Sequence, residues 1–435
     1  MAYAKLEKTR DILSQIKLHL DLKSEYGAIE THKKIESLEV YLEKCLDEIK
    51  TIPIDEDLAK KEPSTLDEIK ALRPDIPRVI QKVDEQKYEE KLEGALIGRM
   101  AGCILGAPVE GSPLEHMEHL AAEFGMPYPA KDYWSNVQNP WNIRYLKGKK
   151  DSYTRDKMNG VPPDDDIEYV LVGLTVAERH GFEFSTADVG SIWQELLPLA
   201  YTAEEVALNN LNNGINALEA ADIDNPFCEL IGADIRCDPW AYMCPGHPEQ
   251  AAEFAHRDAY LSHRRQGIYG AMYFAAVISS ALIIDDPMQA LENGLSEIPK
   301  DCTLAKEIRW ALDTAPTINN YKEARKAVDN RFEGMHYVHT INNACLTVFG
   351  ISIGKGDFTK TIGETVAMGL DNDCTAATAG SIVGATIGIK NIPQHWYKPF
   401  NDTIISYSKT VDTFSIKDVL KRFKTLAKNN ECLIS

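Results

Sequence analysis

The sequence predicts an all-α protein: a compact multi-helix domain preceded by a helical extension. Apolar residues recur at helical spacing along most of the chain, and strand-like alternation is scarce. Two stretches place small residues at every fourth position, Gly94, Gly98, Gly102 and Gly106 in one, Ala376, Gly380, Gly384 and Gly388 in the other. On a helix each set forms one smooth groove that lets a second backbone approach closely.

Composition narrows the class. Among 435 residues, 44% are hydrophobic and 26% charged, ordinary values for a soluble globular protein. A formal net charge of −19 argues against nucleic acid or an anionic membrane as partner and fits cation binding. Nine cysteines, an odd number without framework spacing, predict reduced thiols and a cytoplasmic protein. The first residues show no apolar core of a signal peptide. Residues 267–284 carry no charge and are just long enough to span a bilayer, but Gly267, Gly270, Ser279 and Ser280 and the lack of a second span favour a buried core helix.

In chain order, residues 1–88 form the extension. Leu6, Ile12, Leu13, Ile16 and Leu20, then Ile35, Leu38, Leu42, Cys45 and Ile49, mark two amphipathic helices broken near Tyr26-Gly27. Pro53, Pro63, Pro74 and Pro77 punctuate a linker. The hairpin bears no catalytic motif and suits docking or self-association into a homo-oligomer. Residues 89–430 form the main domain. Its glycine-spaced helix ends at Pro108, which delivers Glu110 into a loop. Residues 112–160 read as irregular and aromatic, a lid or recognition wall. Helices continue from 186 to 300, with loops at 209–216 and 237–248. Cys228, Cys237, Cys244 and His247 lack the paired spacing of a zinc site. His339 and Asn343 lie four apart on a helix over 339–353.

Two acidic helix entrances carry the chemistry. Asp164, Asp165 and Asp166 precede Ile167, Val170, Leu171 and Leu174. One aspartate caps a helix; three in a row repel one another unless solvent or a metal neutralises them. Asp371 and Asp373 open the second small-residue helix, where the dipole tolerates negative charge. A cap accounts for one carboxylate there, whereas two beside a sealed helix call for a divalent cation. Both entrances together make a plan for a metal site of oxygen ligands.

These stretches, in this order, resemble the ADP-ribosylglycohydrolase family over roughly residues 89–400, through 94–110, 163–171, 258–281, 342–362 and 369–388. The resemblance implies an all-α fold with a binuclear magnesium centre. Its Thr-Asp-Asp motif falls on Asp164, Asp165 and Asp166, its Asp-x-Asp-Thr/Ser motif on Asp371, Asp373 and Cys374, and its loop glutamate near the ribose on Glu110. Two residues depart from the pattern. Asp stands for a hydroxyl ligand at 164, and Cys stands for one at 374, where a thiol is a poor ligand for a hard cation. One or two ions are therefore open, with Mg2+ expected and Ca2+ or Mn2+ as alternatives.

The implied activity is metal-dependent hydrolysis at the anomeric carbon of an ADP-ribosyl or related ribosyl N- or O-glycoside, free or protein-attached. Glu110 would orient the ribose or handle a proton, and Asp166 would accept a proton from water. Hydrolysis of free nucleosides or nucleotides, or a non-catalytic crystallin-like role, are the alternatives.

Overall fold

A computed structural model describes residue 3, residues 6–78 and residues 80–434. The described chain is mostly helical, with strands only in three two-stranded pairs. Two units result, Met1–Lys60 with Phe332–Met335, and Lys61–Arg331 with His336–Ser435.

The first unit holds the expected hairpin, helices Glu7–Glu25 and Thr31–Lys50 separated by a turn at Tyr26 and Gly27. Leu6, Ile12, Leu18, Val40 and Leu46 are all exposed. The division falls at residue 60 rather than 88, because residues 61–78 are built into the second unit. Glu62 pairs with Arg265 and accepts from Thr303, Ile69 is fully buried, and Arg73 bridges Glu249 and Glu297. Buried charged groups of this kind fix a segment that proline content alone marks as a linker.

At the centre of the second unit, helix Glu85–Gly106 runs antiparallel to helix Asn372–Ile387. A Cβ built at Gly94, Gly98 or Gly102 would overlap the carbonyl oxygen of Gly384, Gly380 or Ala376, and one at Gly106 would meet the backbone of Asp373. The fourfold-spaced residues thus pair rung by rung, and any side chain there would force the helices apart. The pairing fixes the end of one helix against the start of the other, which brings Glu110 to Asp373.

Helix Gln266–Ala281 is buried at every residue, as its lack of charge predicts. The helix long and apolar enough to cross a membrane among the described residues is Glu85–Val109, and 94% of its apolar window is buried inside the protein.

The 112–160 stretch is less irregular than its composition suggests. Helix Leu114–Glu123 lies within it, burying Met117, Leu120 and Ala121. Beyond it, strands Ile143–Arg144 and Gly148–Lys149 form a tight antiparallel hairpin. The expected loop at 209–216 begins later, since helix Thr202–Asn212 runs into it, and helix Asp238–Tyr242 occupies part of 237–248.

Candidate metal centre

Helix Asp165–His180 starts with the Asp164 side chain accepting from the Asp166 backbone N–H at 3.2 Å. That satisfies an otherwise free donor of the first turn. Asp166 is fully buried. Its Oδ1 accepts from Arg99 Nη2 at 2.7 Å, and its Oδ2 accepts from the Cys374 thiol at 3.1 Å. Arg99 also binds Asp238 at 2.7 Å and the carbonyl of Ile235. Burial opposes the Arg99 charge, but Asp238 and Asp166 outweigh it and hold the guanidinium above its usual range. Asp165 accepts from the Tyr145 hydroxyl at 2.7 Å, and burial, followed by the Asp164 charge, pushes its carboxyl up to about 7.

The second entrance differs. Asp371 precedes helix Asn372–Ile387 without making a side-chain cap, so the capping role does not account for its carboxylate. Gly369 and Leu370 before it both have positive φ, at 71° and 62°, and the Asp371 N–H reaches Asn343 Oδ1 at 3.3 Å. Asp371 Oδ1 and Asp373 Oδ1 are buried without a hydrogen-bond partner. Leaving such an atom unpaired costs about 1–3 kcal/mol, more when charged. Burial, then the Glu110 carboxylate, pushes Asp371 up to about 7, and the same two causes in the same order raise Asp373 well above the usual range.

Three groups of donor atoms lie close enough to share an ion: Cys103, Asp164 and Asp166; Asp166, Asp373 and Cys374; and Glu110, Asp371 and Asp373. Orphaned carboxylate oxygens in the third group suit a hard divalent cation. Cys374 suits one less. Burial, then the Asp166 charge, pushes its thiol well up, and its hydrogen points at Asp166. Cys228, Cys237, Cys244 and His247 appear in none of the three groups.

The centre forms one wall of a cavity of about 380 Å³, which Glu110, Asp165, Asp371, Asp373 and Cys374 line together with Tyr145, Tyr201 and Tyr337. Asp164 and Asp166 are not part of its lining.

The sequence model of ADP-ribosylglycohydrolases matches residues 84–427. The chain belongs to the ADP-ribosylglycohydrolase family. An uncharacterized protein of Archaeoglobus fulgidus is 23% identical over 323 residues, which cover 72% of this chain and 92% of the relative. A solved structure described as an ADP-ribosylglycohydrolase-related protein complex shares the fold, with a TM-score of 0.54 at 18% identity, covering 79% of this chain and 99% of that one.

Within this family member the structure brings every expected site residue, Glu110, Asp164, Asp165, Asp166, Asp371, Asp373 and Cys374, into the three donor groups or the adjoining cavity wall. Sequence reading missed Arg99 and Arg144, and placed Tyr145 only among the rings of the aromatic 112–160 stretch, as part of a lid or recognition wall. Arg144 donates to Glu110 at 3.1 Å, to the Ala107 carbonyl at 3.1 Å and to Asp164 at 3.3 Å, and lies 3.6 Å from Asp373. It reaches them from the 143–149 hairpin, whose turn residues Tyr145 and Leu146 both have positive φ, 47° and 64°. A tight turn demands that geometry, and side chains other than glycine pay about 1–3 kcal/mol each for it. Nothing in a loop of this composition marks Arg144 over Arg155, which lies in the same aromatic stretch.

Proposed function

We propose that the chain is a metal-dependent hydrolase of the bond at the anomeric carbon of a ribosyl N- or O-glycoside. The observation that carries this reading is the pair of unpartnered oxygens, Asp371 Oδ1 and Asp373 Oδ1, beside Glu110 at a cavity wall. Asp371, Asp373 and Glu110 would hold the ion, with Mg2+ the expected one and Mn2+ or Ca2+ compatible with an all-oxygen set. The chemistry supplied by a bound divalent ion is orientation of ribose hydroxyls and a lowered pKa for water.

The protein's own residues do the rest. Glu110 stands at the cavity wall, held by Arg144, where it can orient the sugar or pass a proton to the leaving group. Asp166 does not suit the role of proton acceptor, because Arg99 and Cys374 engage both its oxygens and it lies off the cavity. Asp165, which is outside the proposed ligand set, lines the cavity with its carboxyl pushed up to about 7, which fits proton transfer near neutral pH.

A short substrate is favoured by one further observation. Arg144 is the sole lysine or arginine among the residues lining the cavity, and three acidic groups already surround it. Among the described lining residues, no cationic side chain is left to clamp a pyrophosphate. The experiment is release of free ribose or ADP-ribose from ADP-ribosyl-arginine, ADP-ribosyl-serine and simple nucleosides, with Mg2+ and with chelator. Turnover of at least one compound, lost with chelator, is expected. No turnover of any of them under either condition would favour the non-catalytic alternative.

A further inference from the structure

We propose that Arg144 is a built-in cation that takes the place of one of two metal ions, leaving a site for a single divalent ion on Asp371, Asp373 and Glu110. The inference rests on the metal-dependent reading above and adds the number of ions and the residue that sets it.

The guanidinium touches one carboxylate from each of the three donor groups: Asp164 from the first, Asp373 from the second and Glu110 from the third. A planar fork of donors is suited to several carboxylates at once. The Ala107 carbonyl, past the end of helix Glu85–Gly106, takes a further hydrogen bond and anchors the group. The rings of Tyr145 and Tyr153 lie 5.4 and 5.6 Å from the guanidinium carbon.

What remains for ions is uneven. In the first group, Asp164 accepts from Arg144 and the Asp166 N–H, while Asp166 is taken by Arg99 and the Cys374 thiol. In the second, Cys374 uses its hydrogen on Asp166 and so acts as a donor rather than a ligand. Only the third holds two carboxylates with unpartnered oxygens, Asp371 Oδ1 and Asp373 Oδ1, and these residues are 4% and 2% exposed. Asp164 therefore brings an additional negative charge together with its own counter-charge, and the pair Asp164–Arg144 stands where an ion and a hydroxyl ligand would otherwise meet.

The test is Mn2+ stoichiometry of the full chain, by equilibrium dialysis with metal analysis, for the wild type, Arg144→Gln and Arg144→Lys. One ion is expected for the wild type and for Arg144→Lys, which keeps a cation on the hairpin. Two are expected for Arg144→Gln, because three carboxylates lose their partner and a second ion can fill the gap. Two ions in the wild type, or one ion in both the wild type and Arg144→Gln, would overturn the inference while leaving the metal-dependent function standing. No ion in any of the three proteins would overturn both. Should Arg144→Gln fold only with added ion, its melting temperature must climb up to two equivalents of Mn2+; saturation at one equivalent counts against the inference.

Discussion

At the entrance to helix Asp165–His180 the carboxylates have their partners within the protein, whereas at the entrance to helix Asn372–Ile387 two oxygens have none. Both entrances put aspartates at a helix N-terminus, and both bury them apart from Asp165, which is half-buried. Helix geometry alone therefore does not decide which aspartates bind an ion. Arg99, Arg144, Tyr145 and the Cys374 thiol neutralise or satisfy the first set, which makes it a structural anchor. The second set faces the cavity with oxygens left unpartnered, and that is why it is the proposed ligand set.

The sharpest way to break this contrast is Asp371→Asn or Asp373→Asn. Each removes a charge from the proposed ligand set, so turnover should fall by more than about 100-fold, the upper range for losing a merely supporting partner. Helical content, read by circular dichroism, should not change, and the melting temperature of the metal-free protein should not drop. Asp166→Asn should do the reverse in its main effect. It strips Arg99 of one of two buried charged partners, and urea denaturation should show a loss of about 3 kcal/mol. If Asp373→Asn proved the more destabilising of the two without metal, the division between anchor and ligand set would fail.

Acidity sharpens the contrast at intermediate size. With its carboxyl pushed up to about 7, metal-free Asp371 keeps a proton below that pH. An ion must displace that proton and the one held by the raised Asp373 carboxyl, so apparent affinity should weaken as pH falls, by about tenfold per pH unit for each proton displaced. Calorimetry at several pH values in buffers of different ionisation enthalpy would show the released protons. A flat profile from about one pH unit below that value to one above it contradicts the raised carboxyl.

Cys374→Ser should have a small effect. The hydroxyl can still donate to Asp166, so stability should move by no more than about 1 kcal/mol, and Mg2+ affinity should hold or improve because oxygen is the harder donor. A large loss of Mg2+ binding would make the sulfur a ligand after all. Smallest of all, a chain starting at Lys61 should keep both turnover and metal stoichiometry, since residues 1–60 supply none of the donor groups. A cut at residue 86, by contrast, removes Glu62, Ile69 and Arg73 from the second unit and should destabilise it.

The sequence by itself determined the helical class, the hairpin and the two acidic entrances, because each is a local pattern. Spacing by four is a property of one helix, so Gly94, Gly98, Gly102, Gly106 and their counterparts near Gly380 are legible in the chain alone, including their fitness for each other. Charge repulsion among Asp164, Asp165 and Asp166 is likewise legible, since it needs only neighbours in the chain. The tertiary structure decided how those charges are settled. Arg144 is 20 residues from Asp164, but it reaches Asp373, far onward in the chain, through a hairpin turn of positive φ that periodicity does not announce. Arg99 sits mid-helix, where an arginine ordinarily faces solvent, and is fully buried by the close packing around its own glycine-rich helix. Whether a carboxylate binds an ion or a guanidinium depends on what lies within about 4 Å of it, and distance of that kind is set by the fold.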